Sequence, residues 1–212
     1  MLDRARFFAR IRNSLYAGRL SAAKVSGVMA ILDAAEALVP PLNDGALAYV
    51  LATAFHETAG TLQPVRETLS TSDEAAIRAL DRAYAAGRLP QVTQPYWRRD
   101  REGKSWLGRG FVQLTHRRNY AAISPYVGVD LVERPERALE LATAAAILLQ
   151  GMRHGVFTGR RLDDYFCAGR ADFAGARAII NGKDRALRVA QHARAFYAAL
   201  SAARIEPATT EC

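Results

Sequence analysis

Apolar residues recur at intervals of three and four along most of the chain, the spacing that lays one face of an α-helix against a core. Alanine is abundant and β-branched runs are few, so the pattern predicts a mainly α protein with little strand. Residues 3–18 and 21–38 read as the first two helices. Ser21 is placed to cap the second, Val25, Val28, Ile31, Leu32 and Ala35 share one face of it, and Pro40-Pro41 stops it. A third helix starts near Asn43 or Asp44 and runs through Ala46, Leu47, Val50, Leu51, Ala54 and Phe55 to His56-Glu57, with Gly60 just beyond as a terminator. Thr71 followed three residues later by Glu74 has capping-box spacing and predicts a helix with Ile77, Leu80 and Tyr84 inward, closed by Gly87.

The period then breaks. Pro90, Pro95, Gly103, Gly108 and Gly110 punctuate residues 88–114, which also hold Tyr96, Trp97, Trp106, Phe111, Val112 and Leu114, and a small β-hairpin turning near Asp100–Lys104 is expected there. Four further helices follow at about 116–123, 136–152, 172–180 and 184–201, with Pro135 in first-turn position and Asn181-Gly182 ending the third. Without repeats or tails, the 212 residues read as one helical domain, 1–212, with two lobes around a cleft.

Charge narrows the partners. Lys plus Arg number 29 against 21 Asp plus Glu, a formal +8, which favours a polyanion: nucleic acid, anionic lipid or an acidic cell wall. The basic residues are dispersed, and no helix-turn-helix, RNA-binding signature or zinc-finger spacing is visible, which argues against nucleic acid. Cys167 and Cys212 are too few for a disulfide framework or a zinc site and read as a buried free thiol and a frayed terminal one. No stretch of 18 apolar residues exists, and five arginines interrupt the first twenty residues, so neither membrane insertion nor a secretory signal is expected, and synthesis in the cytoplasm is.

Glu57 continues the stripe of Val50, Thr53 and Ala54, which aims its carboxyl at an apolar surface at a helix C-terminus. Burial and the negative end of the helix dipole both favour the protonated form, as a general acid requires, unless the side chain bends out to water. The second carboxylate of a glycosidase belongs in a polar setting. Glu67, beside Arg66, fits that description as a base; Asp73 and Glu74 compete, although acids in a first helical turn more often serve the helix itself. His56-Glu57 lacks the second histidine, four residues on, that a zinc helix needs, so no metal is expected. Tyr96, Trp97 and Trp106 offer flat faces for sugar rings, and Arg109, Gln113, Thr115 and Asn119 offer directional hydrogen bonds, a set suited to a groove for a polar polymer.

Three segments are more specific: Ala54-Phe55-His56-Glu57-Thr58-Ala59-Gly60, Gly108-Arg109-Gly110-Phe111-Val112-Gln113-Leu114-Thr115, and Ile179-Ile180-Asn181-Gly182. In this order, with Leu20-Ser21 through Leu32 ahead of them, they resemble the glycoside hydrolase family 19 chitinases and, more closely, phage endolysins and chitinase-like lysozymes of the same superfamily. The resemblance spans roughly residues 20–200. It implies a lysozyme-like bilobal helical fold with a small β-hairpin arm beside the active-site cleft, and inverting hydrolysis without a cofactor. It implies Glu57 as general acid, Thr115 as a holder of the attacking water, and Gln113 and Asn181 as substrate-binding residues. Glu67-Thr68-Leu69-Ser70 resembles the endolysin segment that carries the second acid. His56, Tyr96, Trp97, Arg109 and Asn119 complete the expected sugar-binding set. Two departures stand out: Asn181-Gly182-Lys183 where the family usually has Asn-Gly-Gly, and Leu107 where a tyrosine often precedes Gly-Arg-Gly. The expectation is a monomeric enzyme acting on peptidoglycan after release or export, with chitin as the alternative substrate and a catalytically inactive sugar-binding relative as the alternative of another class.

Overall fold

The computed structural model describes residues 1–167 and 169–205. Seven α-helices run through them: α1 (Arg4–Tyr16), α2 (Ala22–Glu36), α3 (Asp44–Glu57), α4 (Asp73–Ala85), α5 (Arg117–Val127), α6 (Leu141–His154) and α7 (Ala186–Ala203). The mainly helical fold expected from periodicity is the fold observed.

α3 is the axis. Its ten consecutive residues Gly45–Ala54 are all buried, the mark of a helix surrounded by others rather than lying at a surface. It packs along α7, which packs in turn on α1, while α6 joins α2 and α5. Alanine and glycine at positions 45, 46, 48, 52 and 54 let those neighbours come close. Asn43 starts α3 as expected: its Oδ1 accepts from Ala46 N at 2.9 Å, and its Nδ2 donates to the Phe166 carbonyl at 2.9 Å, tying the helix start to a distant loop.

Ser21 caps α2 through Lys24 N, also as expected. The fourth helix is capped one residue later than its Thr71/Glu74 spacing suggested: Ser72 accepts from Ala75 N, and Thr71 gives its carbonyl to Arg66. The helix expected at 136–152 is two elements, a 3-10 turn at Pro135–Leu139 and then α6, because Glu140 between them is extended. The stretch at 172–180 is reduced to a 3-10 turn, Gly175–Ile179. α5 instead runs on past 123 through Pro125, with Ser124 Oγ donating to the Tyr120 carbonyl. Cys167 is exposed rather than buried, and Cys212 lies outside the described residues.

The expected hairpin is displaced. A turn does form at Asp100–Lys104, where Asp100 Oδ1 accepts from the amides of Glu102 and Lys104, but no strands pair across it. The paired backbone lies elsewhere: β1 (Val65–Arg66) runs antiparallel to β2 (Arg109–Gly110), with Val65 opposite Gly110 and Arg66 opposite Arg109. Pro90 and Pro95 interrupt the segment ahead of this turn, which gives strand pairing little to build on there.

Two hydrophobic clusters result. The large one gathers α1, α2, α3, α5, α6 and α7, and a small one consists of Ala76, Leu80, Trp97 and Leu107, with Ile77, Tyr84 and Tyr96 packed against it. The loop after α3 is pressed onto α2 at Gly27, where an added Cβ would stand 1.7 Å from the Leu62 carbonyl oxygen. Gln63 Nε2 fastens the same loop by donating to the Ala23 carbonyl at 2.6 Å. Gly27→Ala is therefore expected to lower unfolding free energy by about 3 kcal/mol, the upper range for overpacking, because backbone must move. Denaturant unfolding of the variant beside wild type reads this directly.

Candidate active site

Glu57 is the last residue of α3, and a threonine fixes it there. The buried Thr58 donates its hydroxyl to the Ala54 carbonyl at 2.7 Å and accepts from Leu62 N at 2.9 Å, so the helix end and the departing loop share one hydroxyl. The chain then turns away through residues of positive φ, Ala59 (50°) and Gly60 (77°), as the terminator role of Gly60 requires. Val50, Thr53 and Ala54 are buried, as the stripe predicted. The surface that the carboxyl meets is not apolar, however. Arg177 Nη1 donates to Glu57 Oε1 at 2.7 Å, and Arg177 is only 2% exposed. Arg177 Nε is taken by the Asp184 carbonyl at 2.9 Å. Glu57 Oε2 has no hydrogen-bond partner among the described residues.

Glu67 follows β1. Its amide donates to the Gly108 carbonyl at 2.7 Å, and its Oε2 accepts from the Gly108 amide at 2.8 Å, so one residue grips it twice. Oε1 accepts from the Tyr96 hydroxyl at 2.7 Å. Burial, reinforced by the Glu67 charge, raises the Tyr96 hydroxyl well above its ordinary value, so it stays a donor. The expected partner, Arg66, is elsewhere: it donates to Asp73 at 2.7 Å. Successive side chains on extended backbone point to opposite sides, which separates Arg66 from Glu67. Thr68 and Leu69, directly after Glu67, both have positive φ (62° and 56°), an uncommon state for residues with a Cβ.

Asp73 also accepts from Arg109, whose side chain is 1% exposed and whose Nη1 reaches the Ser105 carbonyl and the Tyr120 hydroxyl, each at 2.9 Å. Arg109 is thus a buried strut and not the sugar-binding residue expected. Trp97 is corrected likewise: it is fully buried in the small cluster with its indole N–H on Asp81 at 3.0 Å. Trp106 is buried too, its N–H on Asp100 at 3.0 Å. An indole suits a core as well as a sugar face once its N–H has an acceptor, and Asp81 and Asp100 supply those acceptors. The glycines flanking Arg109 have separate reasons. Gly110 has φ 88° and would set a Cβ 2.9 Å from the Ala138 carbonyl oxygen, and a Cβ on Gly108 would stand 2.8 Å from Gln113 Oε1. Arg109 and Leu114 exchange backbone hydrogen bonds at 3.2 and 2.9 Å, closing a tight loop that presents Gln113 at φ 54°.

These elements enclose an open cavity of about 410 Å³ lined by Glu57, Tyr96, Val112, Gln113, Leu114, Thr115, Asn119, Phe157, Ile180 and Asn181. Six residues singled out from the sequence meet there: Glu57, Tyr96, Gln113, Thr115, Asn119 and Asn181. Glu67 stands one residue back, bonded to Tyr96 on the wall. His56 is not on the wall; it is half-buried near Arg177, Arg185, Arg188 and His192, and burial with those cations lowers its pKa against the opposing pull of Glu57. Of the competing bases, Asp73 is held by two arginines, and Glu74 is paired with Arg99 on an exposed face. Sequence reasoning missed Arg177, Thr58 and the linking role of Tyr96. Arg177 did carry a signal, as a lone cation inside the apolar run Phe173–Ile180, where burial demands an acidic partner.

No protein-family model and no curated protein sequence matches the chain. Solved structures do. Chitinase C from Streptomyces griseus HUT6037 is 19% identical with a TM-score of 0.57, over 94% of this chain and 76% of that one. A bacterial family 19 chitinase is 23% identical with a TM-score of 0.55, over 97% and 96%. A chitinase C mutant gives 19% and 0.51 over 95% and 91%. The chain has the lysozyme-like helical fold of the family 19 chitinases.

The Asp73 carboxyl is opposed by burial, but hydrogen bonds and charge from Arg109 and Arg66 outweigh this and hold it below its ordinary 3.8. Stability from that depression is complete above about pH 3.8 and is lost as pH falls through the lower native value. Asp73→Asn leaves Arg109 buried without a counter-charge, so unfolding free energy at pH 7 should fall by about 3 kcal/mol. The gap to wild type should narrow once pH drops below 3.8, as denaturant titrations at both pH values will read.

Proposed function

We propose that the chain is a glycoside hydrolase that cleaves β-1,4-linked amino-sugar polymers with inversion, Glu57 serving as general acid and Glu67 as general base. The observation that carries this reading is the placement of Glu57, fixed at the end of a buried helix with one oxygen on a buried guanidinium and the carboxyl lining an open cavity walled by amides and hydroxyls. Protonated Glu57 gives its proton to the glycosidic oxygen as the bond to the anomeric carbon breaks, and Arg177 stabilises the carboxylate that remains. Glu67 takes a proton from water attacking the opposite face of the same carbon, with the Thr115 hydroxyl placing that water; solvent then resets both acids. A carboxylate held by Tyr96 and Gly108, with no cation bound to it among the described residues, keeps acceptor capacity for such a water. Gln113, Asn119 and Asn181 hold the sugar, and no step calls on a metal or cofactor.

Peptidoglycan is the substrate favoured by the +8 charge, since bacterial walls are anionic and chitin is not. Chitin is the second reading, supported by the likeness of the fold to three chitinase structures. An inactive sugar-binding relative fits less well, because Glu57 lines the open cavity with one carboxyl oxygen that has no partner among the described residues.

Glu57→Gln should lose about 10²-fold or more of hydrolysis, since the amide has no proton to give, and should also lose stability because Arg177 loses its counter-charge, so rates are compared at a temperature where circular dichroism shows the variant folded. Released sugar from labelled peptidoglycan and from chitin oligomers is the measure, and retention of half the wild-type rate removes Glu57 from the mechanism. The first-formed anomer, followed by NMR, should be inverted; a retained anomer removes the water-activating role from Glu67.

A further inference from the structure

Tyr96 lines two cavities: the one that Glu57 lines, and a second of about 540 Å³ formed by residues 91–96 and His116. The two are joined again along the chain, because Thr115 lines the first and His116 the second. One side chain thus donates its hydroxyl to Glu67 at 2.7 Å and packs its ring on His116, with centroids 4.3 Å apart. The second cavity is therefore continuous with the groove at Glu67, and its size falls within the range of ligand sites.

Its lining has a definite chemistry. No charge stands in it at pH 7, since burial and Arg118 lower the His116 pKa against the pull of Glu67 and leave the imidazole neutral, with one donor and one acceptor. Gln91, Thr93 and Gln94 are exposed, and none of their side chains is hydrogen-bonded among the described residues. These groups do not hold their own loop. Leu89 and Val92 hold it, packed against the small cluster around Trp97, with the Val92 amide donating to the Leu89 carbonyl at 3.1 Å. Two primary amides, a hydroxyl and a neutral imidazole, set beside Val92, Pro95 and the Tyr96 ring, match a neutral sugar that carries an amide and a methyl group. An anionic group would meet no cation in this lining.

We propose that this second cavity is a further sugar subsite, which takes one N-acetylated sugar residue of the same glycan whose scissile bond lies at Glu57. This rests on the glycosidase reading above and deepens it by extending the groove past Glu67. The acetamido group pairs with Gln91 and Gln94, its methyl meets Val92 and Pro95, and the sugar ring lies against Tyr96 and His116. Such a residue occurs in chitin and in peptidoglycan alike, so the subsite sets the length of glycan bound and not the choice of polymer.

The test uses the full-length Glu57→Gln protein, which reads binding without turnover, at a temperature where circular dichroism shows it folded. Chitin oligosaccharides and a peptide-free glycan strand of peptidoglycan are titrated by calorimetry, with and without the double change Gln91→Ala and Gln94→Ala. The ratio of hexamer to trimer affinity should fall about tenfold in the double variant, as the loss of two hydrogen bonds implies. A ratio left unchanged overturns the proposal. NMR gives a second reading that does not depend on the variant: the hexamer or the strand should shift the backbone amides of Gln91, Thr93 and Gln94 together with those of Gln113 and Asn181. Shifts at Gln113 and Asn181 alone overturn the subsite and leave the glycosidase reading standing. No shift at either set with any of these glycans overturns both.

Discussion

A guanidinium that is 2% exposed cannot remain without a counter-charge, and Arg177 finds its own in Glu57 at 2.7 Å. Leaving such a cation unpaired costs about 3–5 kcal/mol, a large part of what holds a domain of this size together. The pair links the end of α3 to the 3-10 turn Gly175–Ile179, segments 120 positions apart in sequence, and through the Asp184 carbonyl it also holds the approach to α7. Stability and the proposed chemistry therefore use the same carboxylate. Oε1 is committed to the fold, and the cavity side of the group is left for a substrate.

The same device recurs behind the loop that carries Gln113. Arg109, 1% exposed, is paired with Asp73 through Nη2, and its Nη1 holds the Ser105 carbonyl and Tyr120 hydroxyl. Its neighbour Gly108 is what grips Glu67, by an amide and a carbonyl. Asp73 thus takes the cationic partners, and Glu67 is left with neutral donors. The two candidate catalytic carboxylates differ accordingly: one touches a buried arginine, and the other is insulated from one by a peptide unit.

What the sequence made legible is what is local. Periodicity placed α3 and its buried stripe, and Asn43 and Ser21 marked helix starts, because caps and faces depend on residues a turn apart. The loop carrying Gln113 and Thr115 was legible through its glycines, each demanded by a close approach of other atoms. Partnership over long range was not. Arg66 and Glu67 are adjacent in sequence yet bond to different groups, and Arg177 reaches Glu57 across more than half the chain. Trp97 and Arg109 misled for a related reason: aromatic and guanidinium groups suit a sugar or a core equally, and the decision lies with acceptors, Asp81 and Asp73, that no local spacing announces.

The contrast between the two carboxylates extends to rigidity. Glu57 ends a helix whose preceding ten inner residues are buried and whose exit is locked by the Thr58 hydroxyl, so its position is set by the core. Glu67 precedes two consecutive non-glycine residues of positive φ, Thr68 and Leu69, the second of them an exposed leucine. Each such residue costs about 1 kcal/mol or more and persists only where its surroundings enforce it. Here the enforcement is visible on one side, in the grip of Gly108 and Tyr96 on Glu67 itself. A proton donor must meet a fixed glycosidic oxygen, and that favours attachment to the core. A base that works through water tolerates a loop, provided the loop is held by the same groups that line the cleft, and Tyr96 is one of them.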